Sequence, residues 1–541
     1  MAQSGHIEVP ADDVQAAHES DGELEDVDHD GEDTLAPADG PSSSTAAPKK
    51  KKKKKSKLAK LTASIPQPVV DEVLKRVKEQ VGEDNPDATE ENVRKTLDDM
   101  KVMDYVKGKS GLGGKNRKDM GEYKFWKTQP VAQIGEAPPQ EDGYIEPSLP
   151  RSQVRQDPYP LPKDFEWCTV DVNDQKELTE LYELLSANYV EDDDASFRFK
   201  YSAEFFEWAL KPPGYHKEWH VGVRVKTNKK LVAFIAGAPI TLRVRKSQFK
   251  SVEINFLCIH KKLRGKRLAP VLIKEVTRQC NLKGIFQAIY TGGTYLPTPV
   301  SVCRYYHRLL NVPKLVEVKF TWLKPGQTVA RLVRLYKLPS STKLPGLREM
   351  QEKDIPEVKA IWNQYMKRFG LVPVMTAEEL RHVFLSGLGT GEMKHGRREG
   401  QVIWSYVVED PQTHKVTDYF SFYNLPSTIL NSQRHGLLDA AYLFYYGTSV
   451  AMQAGAEEDG RLKQRLNDLM QDALTVADQA KFDVFNAMTT MDNNLFLSEQ
   501  KFGQGDGMLN FYLYNWRTAP LSGMEAVGEY PVGRGVGVVM L

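Results

Sequence analysis

The chain has no apolar run approaching the roughly 20 residues needed to span a bilayer. Of its 541 residues 27% are charged, which points to a water-soluble folded protein. Its start, Met1-Ala2-Gln3-Ser4-Gly5-His6, lacks the basic region and apolar core of a secretory signal, so a cytoplasmic location is expected. Cysteine is scarce. Cys168, Cys258, Cys280 and Cys303 show no Cys-x-x-Cys pair and no metal-ligand spacing, which leaves reduced thiols and no metal site as the reading. The break at Gly111-Leu112-Gly113-Gly114 lacks the Gly-Lys-Ser/Thr ending of a phosphate-binding P-loop and reads as a flexible turn.

Charge is present but unevenly placed. Residues 1–48 hold 13 acidic residues and no Lys or Arg, and Lys49–Lys55 is an unbroken run of seven lysines. The acidic segment has too few large apolar groups to bury a core, and the lysine run repels itself. Three readings of that run stand side by side: a nuclear localisation signal, contact with ribosomal RNA or an anionic lipid surface, or a solvated spacer.

The remaining length suits two or three domains. Residues 1–65 read as a disordered arm and 66–114 as a helical leader, with Val69, Val73, Leu74, Val77 and Val81 at helical spacing. Tyr123-Lys124-Phe125-Trp126 follows, an aromatic stretch closed by Pro130 that reads either as an extended arm on an apolar or planar partner or as ordinary core. After a Pro-rich linker comes an α/β unit. It opens with an amphipathic helix over Asp174–Tyr189, an acidic knot at Glu191–Asp194 and an aromatic run from Phe197 to Trp208. By itself the knot reads as a solvated loop capping a helix.

Glu253-Ile254-Asn255-Phe256-Leu257-Cys258-Ile259-His260 then reads as a buried strand, and Lys261–Pro270 as a basic, Gly-containing turn opening onto a helix. Outward backbone N–H groups, the helix dipole, Arg264, Lys266 and Arg267 together make an anion site. The order of helix, antiparallel strands, strand, anion-binding turn, helix and strand is similar to an acyl-CoA-dependent N-acetyltransferase unit. A second pass of the same grammar begins near Leu347, and its last long strand is placed at Leu509–Trp516. The expected fold class is α/β: two tandem acetyltransferase-like halves, 115–335 and 336–541, around one continuous mixed sheet.

Four blocks carry a more specific resemblance: Glu253–His260, Leu263–Pro270, Thr298–His307 and Lys501–Trp516. Together they closely resemble the eukaryotic N-myristoyltransferase family. That resemblance implies transfer of a tetradecanoyl group from myristoyl-CoA to the N-terminal glycine of a protein or peptide, by a monomer needing no cofactor beyond its co-substrate. It implies that Tyr123, Lys124, Phe125 and Trp126 lie over the acyl-CoA, and that Phe256 and Leu257, with Cys258 beside them, meet the thioester through backbone N–H groups. Arg264, Gly265, Lys266, Arg267, Leu268 and Ala269 would hold the CoA phosphates. Tyr189, Phe197, Phe199 and Tyr201 would line the peptide groove, and Asn255, Thr291 and His307 would sit near the first peptide residues. Asp192, Asp193, Asp194 and Asp506 would meet a basic residue farther along, which reverses the loop reading of the knot. The general base would be the carboxylate of Leu541.

The tail Gly533–Leu541 is apolar where most chain ends are polar and frayed. It reads as a final β-strand whose burial would bring the terminal carboxylate inside. Two other readings of the chain remain: a thiol acyltransferase using Cys258 with His260 or His307, and an RNA- or ribosome-binding adaptor built on Lys49–Lys55 over an inert fold. The segment Ala454–Gly460 reads as a surface insertion.

Overall fold

A computed structural model describes residues 120–189 and 196–541. The arm, the helical leader, the glycine-rich break and the knot Asp192–Asp194 lie outside the described residues.

Alternating and apolar runs give the strands of one 13-stranded sheet. From the first half come β1 (Phe165–Thr169), β3 (His220–Val225), β4 (Leu231–Val244), β5 (Ser247–Ile259), β6 (Ala288–Gly292) and β7 (Ser301–Leu309). The second half supplies β8 (Leu347–Glu349), β9 (Leu371–Pro373), β12 (Ile403–Glu409), β13 (Val416–Asn424), β16 (Ala440–Thr448), β17 (Val484–Met488) and β18 (Gly503–Tyr514). A separate three-stranded sheet joins β2 (Phe197–Phe199) to β14 (Ser427–Ile429) and β15 (Leu437–Leu438), and β10 (Thr390–Lys394) pairs with β11 (Arg397–Glu399).

The strand order β1-β3-β4-β5-β6-β18-β7-β17-β16-β13-β12-β8 has an approximate two-fold logic. Each half runs antiparallel up to one parallel pair, β5 with β6 and β16 with β17. Each then lends its last strand to the other half, so that β18 lies beside β6 and β7 beside β17. The halves therefore share a sheet and also complete each other's centre, because Asn510 of β18 donates to the carbonyl of Gly292 at the end of β6 at 3.0 Å.

Helices cover the sheet where their apolar faces dictate. Asp174 caps Gln175–Asn188 by accepting from Lys176 and Glu177 N–H groups, and Leu178, Leu181, Leu184 and Leu185 turn inward. The Thr376–Glu379 capping box starts Ala377–Leu385. Ile355–Tyr365 and Arg461–Gln479 pack in the largest core with the second-half strands.

Leu231–Val244 is one continuous strand that runs through Pro239. Two expectations change. The aromatic arm is not extended: Met120–Glu122 and Trp126–Thr128 are 3₁₀ turns. The tail is not a strand either. It makes one isolated bridge, Val536 with Leu371, and otherwise threads between loops.

Candidate active site

At Phe256 the ladder between β4 and β5 breaks step. Phe234 pairs with Cys258 and Ala236 with Asn255, so β5 carries one residue too many. Phe256 absorbs it with φ of +58°, a left-handed conformation costly for an aromatic residue. What fixes it is packing: its buried ring lies 5.4 Å from Tyr201 and 5.5 Å from Phe206, centroid to centroid. The Phe256 N–H faces the Tyr189 hydroxyl, which burial keeps protonated. On the other edge β5 pairs with β6 through Val252 and Glu253. Beyond that register the two strands part, with Asn255–Leu257 on one wall and Thr291 on the other.

The turn after β5 leads to the helix Leu268–Leu282, whose N-cap, Arg267, is left-handed and offers no side-chain cap. The first-turn N–H groups thus point outward, with no acid in that turn. Arg264, Gly265, Lys266 and Arg267 are exposed, and Gly265 also has positive φ. Lys261 N–H donates to the Asn188 side chain at 3.0 Å, and Arg264 donates to the Asn188 carbonyl. The loop is therefore braced against the end of the first helix while its cations stay outside.

The aromatic arm closes over the same region. Trp126 stacks on Tyr290, 5.6 Å away and 9° from parallel, and Tyr290 stacks on Tyr512 of the exchanged strand at 4.9 Å. Tyr123 donates to the Tyr295 carbonyl at 3.1 Å, and Phe125 meets Lys274 of the Leu268–Leu282 helix. Trp126 Nε1 and the Tyr290 hydroxyl are buried polar atoms without a hydrogen-bond partner among the described residues.

Tyr189, Phe199 and Tyr201 form a connected aromatic wall, at 5.9 Å and 6.0 Å, and Phe199 reaches Tyr442 of β16 at 6.4 Å. Phe197 sits farther out against Phe320, which also meets the His307 ring at 5.3 Å. His307 is paired to Asn486 at 2.7 Å, and burial holds its pKa below the ordinary value against the opposing pull of Asn486 and Asp506. Asp506 is exposed on a stretch of β18 that leaves the ladder between Gln504 and Met508. Glycine is required there: a Cβ on Gly505 would fall 2.5 Å from His307 Nε2.

The chain terminus arrives from the far side. Gly535 passes so close to Ser522 that a Cβ would lie 2.2 Å from its nitrogen. Val536 to Met540 are buried, and Val539 N–H donates to the Tyr445 hydroxyl at 3.0 Å. The Leu541 N–H donates to the carboxylate of Glu253, and Asn255 Nδ2 donates to the same carboxylate at 2.7 Å. Burial raises the Glu253 pKa, and those two donors only partly offset it. Sequence reasoning missed Glu253. The available signal was a charged residue inside an otherwise apolar strand.

The root of the tail is tied by charge. Arg534 binds buried Asp492 at 2.6 Å and Glu457 at 2.7 Å, and Arg368 bridges the same two acids at 3.2 Å and 3.1 Å. Glu457 belongs to Ala454–Gly460, so that surface segment brackets the tail.

Cys258 is buried with Sγ 4.0 Å from the Leu184 carbonyl, and burial pushes its thiol up to about 12. His260 accepts the Lys262 N–H at 3.3 Å instead of facing that thiol. Among the described residues no base is hydrogen-bonded to Cys258.

Residues 144–303 match the family model "Myristoyl-CoA:protein N-myristoyltransferase, N-terminal domain", and residues 317–539 match its C-terminal counterpart. A glycylpeptide N-tetradecanoyltransferase of Aspergillus fumigatus is 51% identical over 452 residues, covering 83% of this chain and 90% of that protein. One from Candida albicans is 50% identical over 438 residues, with 80% and 93% covered. A crystal structure of Saccharomyces cerevisiae N-myristoyltransferase with bound myristoyl-CoA is 45% identical with a TM-score of 0.74, covering 83% of this chain and 99% of that one.

Proposed function

Because this chain belongs to the myristoyl-CoA:protein N-myristoyltransferase family and is an acyltransferase, we propose that it acylates the N-terminal glycine of proteins by direct attack, with its own C-terminal carboxylate as base. The observation that carries this reading is the Leu541 N–H on Glu253, three residues before the bulge at Phe256. We place the reaction in the cytoplasm and in a monomer, with 115–335 taking the acyl-CoA and 336–541 much of the peptide.

CoA phosphates would sit on Arg264–Ala269 at the open N-terminus of Leu268–Leu282, with the arm Tyr123–Trp126 over the co-substrate. The thioester would enter the gap between β5 and β6. The substrate's α-ammonium would lie between Asn255, Thr291 and the Leu541 carboxylate. In water that proton transfer is uphill by about 4 pKa units, roughly 6 kcal/mol. An apolar setting favours the neutral form of both partners, and a Glu253 carboxylate, when ionised, would make a neighbouring terminal carboxylate a better proton acceptor. The freed amine then attacks the thioester carbon, the Leu257 N–H and the Phe256 N–H (which exchanges the Tyr189 hydroxyl for the substrate oxygen) stabilise the oxyanion, and the C–S bond breaks as CoA leaves as thiolate and takes up the second proton shed by the attacking nitrogen. Each such donor is typically worth about 3–4 kcal/mol. Distal peptide residues would follow Tyr189, Tyr201, Phe199, Phe197 and His307 toward Asp506, and Asp192–Asp194 remain part of the proposal from outside the described residues.

The direct test is a Gly-starting peptide with myristoyl-CoA. A gain of one tetradecanoyl group with release of one thiol is expected, and none for the same peptide N-acetylated. Acylation of the blocked peptide would overturn the amine as acceptor. Cys258→Ser should keep kcat within about twofold, since a thiol this basic is not ionised near neutral pH. Abolished turnover in that variant would restore the thiol mechanism.

Glu253→Gln keeps an acceptor for the Leu541 N–H but removes the charge. Its plateau kcat should fall about tenfold, with the acid limb of the rate profile moved to lower pH. Stability should move the other way. The folded chain holds the Glu253 proton more tightly than the unfolded chain, so this group's contribution is present at low pH and lost as pH rises through its raised folded value. The Gln variant therefore melts higher at alkaline pH, a gain that disappears on acidification. An unchanged rate profile would remove Glu253 from the mechanism.

A further inference from the structure

From Val318 to Arg348 the chain carries seven Lys or Arg and no Asp or Glu. Arg348 is engaged with Asp354 and Glu409, and Lys343 with Gln471. The other five, Lys319, Lys324, Arg331, Arg334 and Lys337, are exposed and make no ion pair among the described residues. They belong to a loop and the short helix Val329–Tyr336, which turns Leu332 inward onto Leu315, Ile429, Leu438 and Val484 and leaves Arg331, Val333, Arg334 and Leu335 in solvent.

Apolar groups stand among those cations. Trp322 is 73% exposed, and Leu323, Val333 and Leu335 are exposed too. Four of the eleven exposed large apolar residues in the described structure fall within residues 322–335. Their concentration in one loop and the helix it leads into sets them apart from the scattered single residues normal for a surface. It adjoins the outer end of the peptide groove, because Phe320 contacts both Phe197 and His307.

We propose that this surface docks the enzyme on an anionic phospholipid bilayer. Five unpaired cations without an intervening acid complement a negatively charged leaflet, each worth about fivefold in partitioning. An exposed tryptophan flanked by aliphatic side chains suits the headgroup–acyl boundary, where Trp anchors and Leu or Val insert. Single-stranded nucleic acid fits less well, since base stacking uses aromatic faces and three of the four apolar residues are aliphatic. Docked this way, the enzyme holds its groove end beside the membrane.

Lys49–Lys55 could bind the same lipids, so the test uses the full chain with those seven lysines replaced by serine. This protein should float with vesicles of phosphatidylcholine plus phosphatidylserine, not with phosphatidylcholine alone, and should be released by salt. Adding Arg331→Glu and Arg334→Glu should lower partitioning at least about 25-fold, and Trp322→Ala about tenfold. Both variants should keep the parent's melting temperature and its rate on a soluble peptide. Failure of the serine-substituted chain to float, or equal flotation of either variant, overturns the proposal. So does capture of single-stranded RNA by the parent, lost in the arginine variant, when no flotation is seen.

Discussion

Converting the Leu541 carboxylate to a carboxamide by semisynthesis should leave acyl-CoA binding intact and slow turnover by roughly 10²- to 10⁴-fold, the usual yield of a positioned general base. The carboxamide is nearly isosteric and keeps an acceptor oxygen, so the apolar packing of Val536–Met540 and the Leu541 N–H to Glu253 bond persist. The capacity to take a proton and the terminal negative charge are lost together. Adding polar residues after Leu541 should do at least as much damage by a cruder route, because a longer chain must also displace the tail from its buried path. In the carboxamide enzyme the acid limb of the rate profile that reports the base should vanish, while the melting temperature does not fall. A carboxamide enzyme that turns over at the normal rate would sink the carboxylate-base mechanism, and the search for the base would move to Glu253.

What the sequence made legible was local. Glu253–Thr277 announces itself because a β-prone run, a Gly-containing basic turn and an amphipathic helix follow one another without interruption. The helix Gln175–Asn188 was readable from the 3–4 spacing of Leu178, Leu181, Leu184 and Leu185. Strand β7 was not read as a strand. Arg304, His307 and Arg308 interrupt its apolar rhythm, and the structure pairs the His307 ring with Asn486 and the Arg308 side chain with the Gln500 carbonyl, both distant in the chain, while Arg304 Nε is buried without a partner among the described residues. The exchange that sets β18 beside β6 depends on contacts such as Asn510 with Gly292, 218 residues apart, and no periodicity encodes it. The bulge at Phe256 is likewise invisible in composition, because a phenylalanine in a strand gives no sign of positive φ. Candidate groove residues Tyr189, Phe199 and Tyr201 were identified, but their second-half counterpart Tyr442 was not. Its segment reads only as a strongly apolar, aromatic run.

Ala454–Gly460 lies largely at the surface, as read from the sequence, but it also takes part in holding the tail. Most of the segment is exposed, yet Ala456 is buried and Glu457 reaches two arginines, one of them at the root of the tail. The base proposed above, the Leu541 carboxylate, must be held in place, and a chain end has only one covalent tether. The structure compensates at both ends of the tail: the Arg534 ion network at its root and the Glu253 contact at its tip.

Arg534→Met tests that division. The methionine fills much of the same volume but leaves Asp492 without one of its two arginines. Removing one partner of a buried ion pair costs about 3–5 kcal/mol. Here the lower figure applies, because Arg368 at 3.2 Å and the Tyr365 hydroxyl at 2.7 Å still serve Asp492. A stability loss alone would be a structural result. The mechanistic expectation is a split: at a temperature where the variant is fully folded, kcat should fall about 100-fold, as a displacement near 1 Å can do. Acyl-CoA affinity and peptide KM should stay within about twofold, since the phosphate loop and the aromatic wall do not touch Arg534. Arg534→Lys, which retains the charge but not the two-armed geometry, should recover the melting temperature more fully than kcat. If kcat returns to normal whenever the variant is folded, the network only holds the fold together, and the terminal carboxylate is positioned by Glu253 and the packing of Val536–Met540 alone.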